Sequence, residues 1–371
     1  MIIPSVTPHL FEYVLPSQIA DARNTIAKRS CLLVEITTDE GLTGWGEAAT
    51  FAGCGPLVAP VVRFFAERLV GKPLPSPADF YHACFGSSLH FGRRGLVLNA
   101  LSGIDIALWD IKGKLEGQSL VSMLGAARPD IEFYFNGGYF VDDDPHGFLK
   151  TSVETAVARG AQALKIKIGQ RVEDDIQRIQ IARDILGPDR DLMVDANGIL
   201  NIAYLRNLNP TLVKNNIRWM EEPVAITRVS ELQSVKAVLD VPVAGYELEQ
   251  TASAWAELIE GNTVDIAQPD SIWSGGITEC IDVAATCAAH EVEFVPHNFA
   301  SIVCLAANAH LAAHAPTGGW LEVDSNDNPF LWAIDTDGGF KLENGRIKIP
   351  DTPGIGVTPN IAAIEKYRIP V

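Results

Sequence analysis

The chain has 371 residues, of which 47% are hydrophobic and 20% are charged, with 31 glycines and 22 prolines. This is the composition of a globular protein of roughly two to three domains, and it excludes disordered, collagen-like and disulfide-stapled classes. The 46 acidic residues outnumber the 29 lysines and arginines, and the net charge of −17 disfavours binding to nucleic acid or to an anionic membrane.

The six cysteines are scattered and contain no Cys-x-x-Cys pair, so we expect buried and reduced thiols. The N-terminus has no basic segment followed by an apolar stretch, as a signal peptide would have. The longest apolar region, residues 301–315, is too short and too polar to cross a bilayer. These features predict a cytoplasmic protein.

Residues 1–127 are predicted to form a small α+β domain. Residues 31–38 are strand-like, and after a turn, residues 44–47 can pair back on them as a short hairpin. A helix is predicted over residues 95–115, because apolar residues recur there at steps of three and four. Strands followed by helices are typical of this class of domain.

From residue 128 onward, short strand-like runs alternate with helical stretches. The eight runs span residues 133–140, 163–168, 192–197, 217–223, 241–246, 264–270, 292–297 and 321–324. This alternation predicts a parallel α/β barrel over residues 128–329. An open doubly wound sheet is the alternative, although no glycine-rich phosphate-binding loop supports it. We expect residues 330–371, which contain no further unit, to pack back on the first domain.

An ionisable residue stands at or near the carboxyl end of seven consecutive strand-like runs. These residues are Lys167, Asp195, Glu221, Glu247, Asp270, His297 and Glu322. The carboxyl ends of the strands of a barrel meet at one mouth, where active sites of this architecture lie. A charge in an apolar strand is costly unless it is paired, so the sequence predicts one shared site.

Three of these residues, Asp195, Glu221 and Glu247, are carboxylates on successive strands. Clustered anions cannot all stay ionised without a cation, and oxygen ligands on rigid strands favour Mg²⁺. Alternatively, each acid only caps the helix that follows its strand. We expect one Mg²⁺ ion per subunit, bound by the three carboxylates.

Lys165 and Lys167 are two residues apart on one strand, so both side chains point into the barrel. We expect their repulsion to lower the pKa of at least one amine, which could then accept a proton. Alternatively, they only neutralise the acidic cluster. Asp270 and His297 end neighbouring strands, which suits a carboxylate that orients an imidazole as acid or base. The alternative there is a solvated histidine without a role.

Six short motifs give the chain a family resemblance. They are Lys165-Ile166-Lys167, Val194-Asp195-Ala196-Asn197, Glu221-Glu222-Pro223, Ala244-Gly245-Tyr246-Glu247, Gln268-Pro269-Asp270 and Pro296-His297-Asn298. Together they resemble the enolase superfamily, and the Lys-x-Lys motif with a His-Asp pair resembles its mandelate racemase subgroup. Residues 99–110 are similar to the helix ahead of that subgroup's barrel. The resemblance covers nearly the whole chain.

The resemblance implies a (β/α)7β modified TIM barrel with an N-terminal α+β capping domain, which the C-terminal tail completes. It implies a substrate carboxylate that chelates the Mg²⁺ ion and is neutralised by Lys165. Lys167 would be a base on one face of the substrate, and His297, held by Asp270, would be an acid or base on the other. Glu322 resembles the subgroup's hydrogen-bonding acid near the same carboxylate.

The reaction we expect is removal of the proton α to a carboxylate, followed by loss of the β-hydroxyl from an acid sugar. Dehydratases of aldonates or aldarates are what this set of motifs most often resembles. Cycloisomerases of sugar-acid lactones or anhydro sugar acids, and racemases or epimerases of 2-hydroxy acids, are the alternatives. A non-catalytic binding barrel would be expected to lack at least one of the seven residues.

The resemblance implies that two loops of the capping domain, about residues 15–29 and 48–56, set substrate choice. The first contains the cations Arg23, Lys28 and Arg29, which could bind a hydroxyl or a second carboxylate or could simply be solvated.

We expect Arg23 and Asn197 to bind the substrate. Tyr246, Leu248 and Glu249 depart from the family pattern. These departures bear on which substrate binds and leave the expected reaction unchanged. The expected partners are a small-molecule carboxylate and further copies of the chain, from a dimer to an octamer.

Overall fold

The computed structural model of the protein describes residues 1–125, 128–141, 145–326, 328–332, 334–335 and 339–371. The N-terminal part contributes three strands to a four-stranded antiparallel sheet, which helices cover. Its strands are β1 (Ser5–Ala20), β2 (Thr25–Thr37) and β3 (Thr43–Ala48). Its helices are α1 (Gly55–Ala66), α2 (Pro77–Ser88), α3 (Leu96–Glu116) and the short α4 (Leu120–Met123).

The long helix α3 lies directly on β3 because glycines face each other at the contact. A Cβ atom on Gly46 would overlap the carbonyl of Gly103, so only glycine allows this approach. The predicted helix over residues 95–115 is confirmed to within one residue at each end.

The capping domain departs from the prediction at residues 15–29, which form a β-hairpin rather than a loop. β1 was not predicted, and it pairs with β2 up to Ala20 and Thr25, with one irregularity after Val14. Leu15, Ile19 and Ile26 are buried together against the barrel residue Tyr139. This burial against another part of the chain holds the hairpin in place, and local sequence pattern does not reveal it.

Eight parallel strands follow in chain order. They are β4 (Asp130–Gly137), β5 (Ala163–Lys167), β6 (Asp191–Asp195), β7 (Ile217–Glu221), β8 (Val243–Gly245), β9 (Ile266–Ala267), β10 (Glu293–Phe294) and β11 (Trp320–Asp324). The ladder runs from β4 to β10, and β11 pairs with the free side of β4. Between β10 and β11, the Phe294 amide donates to the Thr317 carbonyl at 3.3 Å.

Seven helices connect these strands. They are α5 (Pro145–Ala158), α6 (Val172–Leu186), α7 (Ile202–Lys214), α8 (Val229–Lys236), α9 (Ala252–Glu260), α10 (Gly276–Ala289) and α11 (Ile302–His314). The predicted (β/α)7β barrel with an α+β cap is therefore confirmed.

An apolar layer fills the barrel below the mouth. It consists of Tyr134, Ala163, Met193, Trp219, Ala244, Ile266 and Val295. Alternate residues of a strand face the same side, so Met193 and Trp219 are followed two residues later by Asp195 and Glu221. The apolar layer thus forms the floor on which the charged side chains stand.

Two acids of the cap bind the starts of barrel helices. Glu47 at the end of β3 accepts a 2.6 Å hydrogen bond from the Ser301 hydroxyl and a 3.1 Å bond from the Cys304 amide of α11. Asp105 of α3 accepts a 3.0 Å hydrogen bond from the Thr278 amide of α10. Carboxylates are favourable at helix N-termini, so these contacts fix the cap on the barrel mouth.

The C-terminal tail contacts both parts of the chain. Its elements are α12 (Pro329–Trp332), β12 (Lys341–Glu343), β13 (Arg346–Lys348), α13 (Ile361–Ile364) and β14 (Arg368–Ile369). β14 joins the cap by pairing with β1, whereas the β12–β13 hairpin pairs with the start of β4. The domain boundaries after residues 127 and 329 stay predictions, and residue 127 lies outside the described residues.

All six cysteines are free and five are buried, with only Cys54 partly exposed, as expected for reduced thiols. Among the described residues, no helix combines the length and the apolar character that spanning a membrane requires.

Candidate active site

A cavity of about 760 Å³ lies between the β1–β2 hairpin of the cap and the carboxyl ends of the barrel strands. Six of the predicted site residues line it: Arg23, Lys167, Asn197, Glu247, Asp270 and His297. The other four predicted residues are fully or almost fully buried: Lys165, Asp195, Glu221 and Glu322. The cavity-lining and the buried residues are in contact with each other, because Lys167 of the first set and Lys165 of the second both lie within 4 Å of the Asp195 carboxylate.

Both lysines of β5 point into the barrel, as predicted. Lys167 Nζ lies 2.5 Å from Asp195 Oδ2, whereas Lys165 Nζ pairs with Glu221 and lies 3.2 Å from the Glu322 carboxylate. Burial alone would lower the pKa of each amine, but attraction to these carboxylates outweighs it and raises both pKa values. The predicted lowering of a lysine pKa by mutual repulsion is therefore wrong for this arrangement.

The three predicted metal ligands stand at the ends of adjacent strands. Asp195 ends β6, Glu221 ends β7, and Glu247 follows β8 by two residues. Burial would raise the pKa of Asp195, but the two neighbouring ammonium groups lower it below its ordinary value. Burial raises the pKa of Glu221 to about 7 and also raises that of Glu247.

A further acid, Glu222, was not predicted as a site residue. It is 7% exposed, has a positive φ of 38°, and lines the cavity beside the strand ends. Burial and the proximity of Glu247 raise its pKa well above the ordinary value. The signal was available in the sequence, since Glu222 lies within the Glu-Glu-Pro motif.

The donor set fits a divalent cation. The buried carboxyl groups are Asp195, Glu221, Glu222, Asp270 and Glu322, with the partly buried Glu247 next to them, and the basic groups beside these six acids are Lys165, Lys167 and His297. Acids therefore outnumber bases two to one, and a bound cation would compensate the excess.

Within the described residues, no three acidic, histidine or cysteine side chains form a ready-made ion site. Lys165 and Lys167 instead pair with the carboxylates of Glu221 and Asp195. The assignment of Asp195, Glu221 and Glu247 as metal ligands stays a prediction.

Asp270 and His297 form the predicted dyad. His297 Nδ1 lies 2.9 Å from Asp270 Oδ2, and Nε2 lies 3.6 Å from Glu247 Oε2 on the cavity side. Burial would lower the pKa of the imidazole, but Glu247, Glu322 and Asp270 together raise it to about 10. The contact with Asp270 orients the ring so that Nε2 is the atom available to a substrate.

Several supporting residues were not predicted. The Trp219 indole and the Gln268 amide donate to Glu221 Oε2 at 3.1 Å and 2.7 Å, respectively. Trp219 could have been found, because it precedes Glu221 by two residues on the same strand face. Asn308 of α11 donates to Asp270 Oδ1 at 3.0 Å, and no spacing rule for strand ends points to it.

The predicted substrate-binding residues differ in their surroundings. Asn197 donates to Asp195 Oδ2 at 3.3 Å, while its buried Oδ1 has no partner among the described residues. Arg23 is exposed at the cavity rim and donates to the Gly198 carbonyl at 3.3 Å. Asn197 thus offers a free acceptor to a ligand, and both roles stay predictions.

Two family descriptions match most of the chain. Residues 6–125 match the N-terminal domain of mandelate racemase and muconate lactonizing enzyme. Residues 149–363 match a domain described as enolase C-terminal domain-like. The two matches follow the division of the chain into a cap and a barrel.

Individual relatives are similar over nearly their full length. The D-galactarolactone cycloisomerase of Agrobacterium fabrum is 33% identical, with 100% of both chains covered. The arabinonate dehydratase of Saccharolobus solfataricus is 30% identical, with 90% of this chain and 89% of the relative covered. The L-talarate/galactarate dehydratase of Salmonella typhimurium LT2, solved with Mg and L-lyxarohydroxamate, has a TM-score of 0.90. It is 27% identical, with 99% of this chain and 93% of that chain covered.

Proposed function

Because the chain belongs to the mandelate racemase/muconate lactonizing enzyme family of the enolase superfamily, we propose that it removes the proton α to a carboxylate. The reaction best supported is dehydration of an acid sugar, an aldonate or aldarate, to a 2-keto-3-deoxy acid. One observation carries the proposal: Lys167 on β5 and the Asp270–His297 pair beyond β9 and β10 line one cavity above a cluster of carboxylates.

The proposed cofactor is one Mg²⁺ ion per subunit, held by Asp195, Glu221 and Glu247. The excess of buried acids over bases supports it, as does the Mg in the structure of the Salmonella typhimurium dehydratase. When bound there, Mg²⁺ would supply positive charge that attracts the substrate carboxylate, stabilises negative charge on it and weakens the attraction of Asp195 for the Lys167 ammonium.

The side chains of the cavity divide the proton transfers between them. Lys165, held in place by its contact with Glu322, attracts the substrate carboxylate, and the charge of Lys165 stabilises the enediolate. Lys167 Nζ, which must first lose its own proton and act as the neutral amine, takes the α-proton from one face, and the electron pair of the C–H bond becomes the carbon–carbon double bond. His297 Nε2, held by Asp270, protonates the departing β-hydroxyl, which leaves as water. The resulting enol converts to the 2-keto acid.

A cycloisomerase is the second candidate, because a relative that matches this chain over its whole length is named a D-galactarolactone cycloisomerase. The same residues suit that reaction. Lys167 or His297 would remove the α-proton, and the ring oxygen would take the place of the departing hydroxyl without loss of water. The cytoplasmic location and the homo-oligomer stay predictions.

The test is a screen of the purified protein with Mg²⁺ against monoacid sugars, diacid sugars and their lactones. We expect 2-keto acid formation from at least one of them, and a parallel run in D₂O should show exchange of the α-proton. If no carboxylate yields either keto acid or exchange, the proposed function is wrong. Keto acid from a lactone but from no open-chain acid would favour the cycloisomerase.

A further inference from the structure

Arg29 brings a buried guanidinium into the wall of the cavity. It lies on β2 of the cap and is 4% exposed, and its Nη2 lies 2.6 Å from Asp324 Oδ2 at the end of β11. Its Nε and Nη1 are buried and have no hydrogen-bond partner within the part of the chain that the structure describes. One nitrogen of three is therefore paired, and the N–H groups of the other two lack an acceptor in the same part of the chain.

The guanidinium is held in place by an aromatic stack. Its central carbon lies 3.7 Å from the ring centroid of Phe299, which contacts Tyr139 at 6.0 Å between centroids. Lys167 Nζ lies 5.2 Å from the ring centroid of the same Tyr139. The Phe299–Tyr139 pair thus connects the cation of the cap to the proposed base, and Arg29, Lys167, Phe299 and Tyr139 all line the same cavity.

Asp324 accepts a hydrogen bond from only one of the three guanidinium nitrogens of Arg29. Its Oδ2 contacts Arg29, whereas its Oδ1 accepts hydrogen bonds from the amide and side chain of Asn326 at 3.0 Å and 2.8 Å. The carboxylate therefore engages the guanidinium through one oxygen only. Buried N–H groups without acceptors are unfavourable, and a planar carboxylate is the partner that fits a guanidinium edge best.

The other two cations of the same hairpin are less suited to this role. Lys28 is 55% exposed and pairs with Glu12 at 3.0 Å. Arg23 is exposed at the rim and donates to a main-chain carbonyl. Of the three cations, Arg29 is the one that is buried in the cavity wall with free donors.

We propose that the unpaired N–H groups of Arg29 bind the second carboxylate of the substrate, so that the substrate is a diacid sugar. This inference rests on the proposed function, in which the reacting carboxylate lies at Lys165 and the metal ligands. A monoacid sugar has a neutral hydroxymethyl group at its far end and would leave the guanidinium without an anionic partner. A dianion also needs a local cation, because the net charge of the protein is −17.

The test compares diacids with monoacids that differ from them only at the last carbon. Binding of galactarate against galactonate, and of glucarate against gluconate, is measured by calorimetry in the presence of Mg²⁺. We expect the protein to bind at least one diacid about tenfold or more tightly than its matched monoacid.

Two variants test the residue itself. Replacement of Arg29 alone would leave the buried Asp324 carboxylate without its ion-pair partner, so the main variant combines Arg29→Met with Asp324→Asn. Arg29→Lys, which keeps the charge but loses the planar fork, is the second variant. We expect the ratio of diacid to monoacid affinity to fall about tenfold in the first and less in the second. Arg159→Met is the matched control, because Arg159 also lies near Asp324 but does not line the cavity.

Equal affinity for diacids and matched monoacids in the unmodified protein would overturn the proposal. An unchanged affinity ratio in the double variant would also overturn it. The proposed function is tested separately by α-proton exchange in D₂O, and loss of that activity would not alter the affinity ratio that decides the role of Arg29.

Discussion

Asn308 donates through Nδ2 to Asp270 Oδ1 at 3.0 Å, and the same nitrogen lies 2.9 Å from the main-chain carbonyl of His297. Asn308 Oδ1 accepts a 3.0 Å hydrogen bond from the Ser271 amide. Since Asp270 Oδ2 contacts the His297 ring, one amide of α11 positions both members of the acid–base pair.

Replacement of this amide should reduce catalysis without weakening substrate binding. We expect Asn308→Ala to lower kcat about tenfold or more, which is part of the 10²- to 10⁴-fold that positioned acid–base groups contribute. KM should change by less than about threefold, because Asn308 does not line the cavity. Steady-state kinetics on the substrate found in the screen provide both values.

Asn99→Ala is the control for that experiment. Asn99 is equally buried, but it contacts the Ala49 carbonyl and Gln250 rather than the acid–base pair. Its replacement should lower thermal stability and leave kcat near the original value. A matching loss of kcat in both variants would mean that Asn308 supports the fold only.

Activity should depend on a divalent cation bound through Glu247. Removal of Mg²⁺ by a chelator should abolish turnover and lower the melting temperature, because an ion that binds only the folded state stabilises it by mass action. Glu247→Gln should lose most of the activity and most of the stabilisation by added Mg²⁺. Differential scanning fluorimetry with and without Mg²⁺ measures the second effect independently of turnover.

Glu249→Gln serves as the matched control for Glu247. Glu249 stands two residues further along the chain and pairs with Arg94 at 2.8 Å rather than lining the cavity. It should retain the response to Mg²⁺. Full activity of metal-stripped protein, or of Glu247→Gln, would contradict the predicted ligand set.

His310 should contribute a loss of stability as the pH falls from 6.5 to 4. This buried imidazole accepts from the Val121 amide through Nδ1 at 3.1 Å, and its Nε2 lies 3.1 Å from the Ile355 carbonyl. The neutral ring satisfies both groups, and burial lowers the pKa of His310 to about 4. The unfolded chain, with a histidine pKa near 6.5, binds the proton more readily in this range, so acid favours unfolding.

The lowering of the His310 pKa from 6.5 to about 4 corresponds to at most about 3 kcal/mol of unfolding free energy. His310→Gln should therefore show a smaller decrease in melting temperature between pH 7 and pH 5 than the unmodified protein. His290→Gln, at an exposed position at the end of α10, should behave like the unmodified protein. An identical pH dependence in all three proteins would show that His310 does not carry the effect.

The barrel and the members of its site could be predicted because their signals are local. A charged residue at the end of an apolar strand, such as Asp195 or Glu221, is rare and marks the mouth of the barrel. The helices α6 and α10 likewise lie in the helical stretches that were predicted between the strand-like runs.

The remaining features depend on contacts between distant residues. The hairpin of β1 and β2 is stabilised by burial against Tyr139, more than 100 residues away in the chain. The pKa values of Lys165 and Lys167 depend on carboxylates from three other strands, so the spacing of the lysines alone gave the wrong direction. Asn308 reaches Asp270 from a helix, and only the assembled barrel reveals this contact.

The assignment of Lys167 and His297 to opposite faces of the substrate is the central claim, and deuterium exchange tests it most directly. Proton NMR in D₂O follows both dehydration and α-proton exchange of one acid sugar with the unmodified protein, Lys167→Ala and His297→Asn. We predict that Lys167→Ala loses both reactions, whereas His297→Asn loses dehydration but retains exchange, because Lys165 and Lys167 still form the enediolate. Exchange at the original rate in both variants would contradict the account.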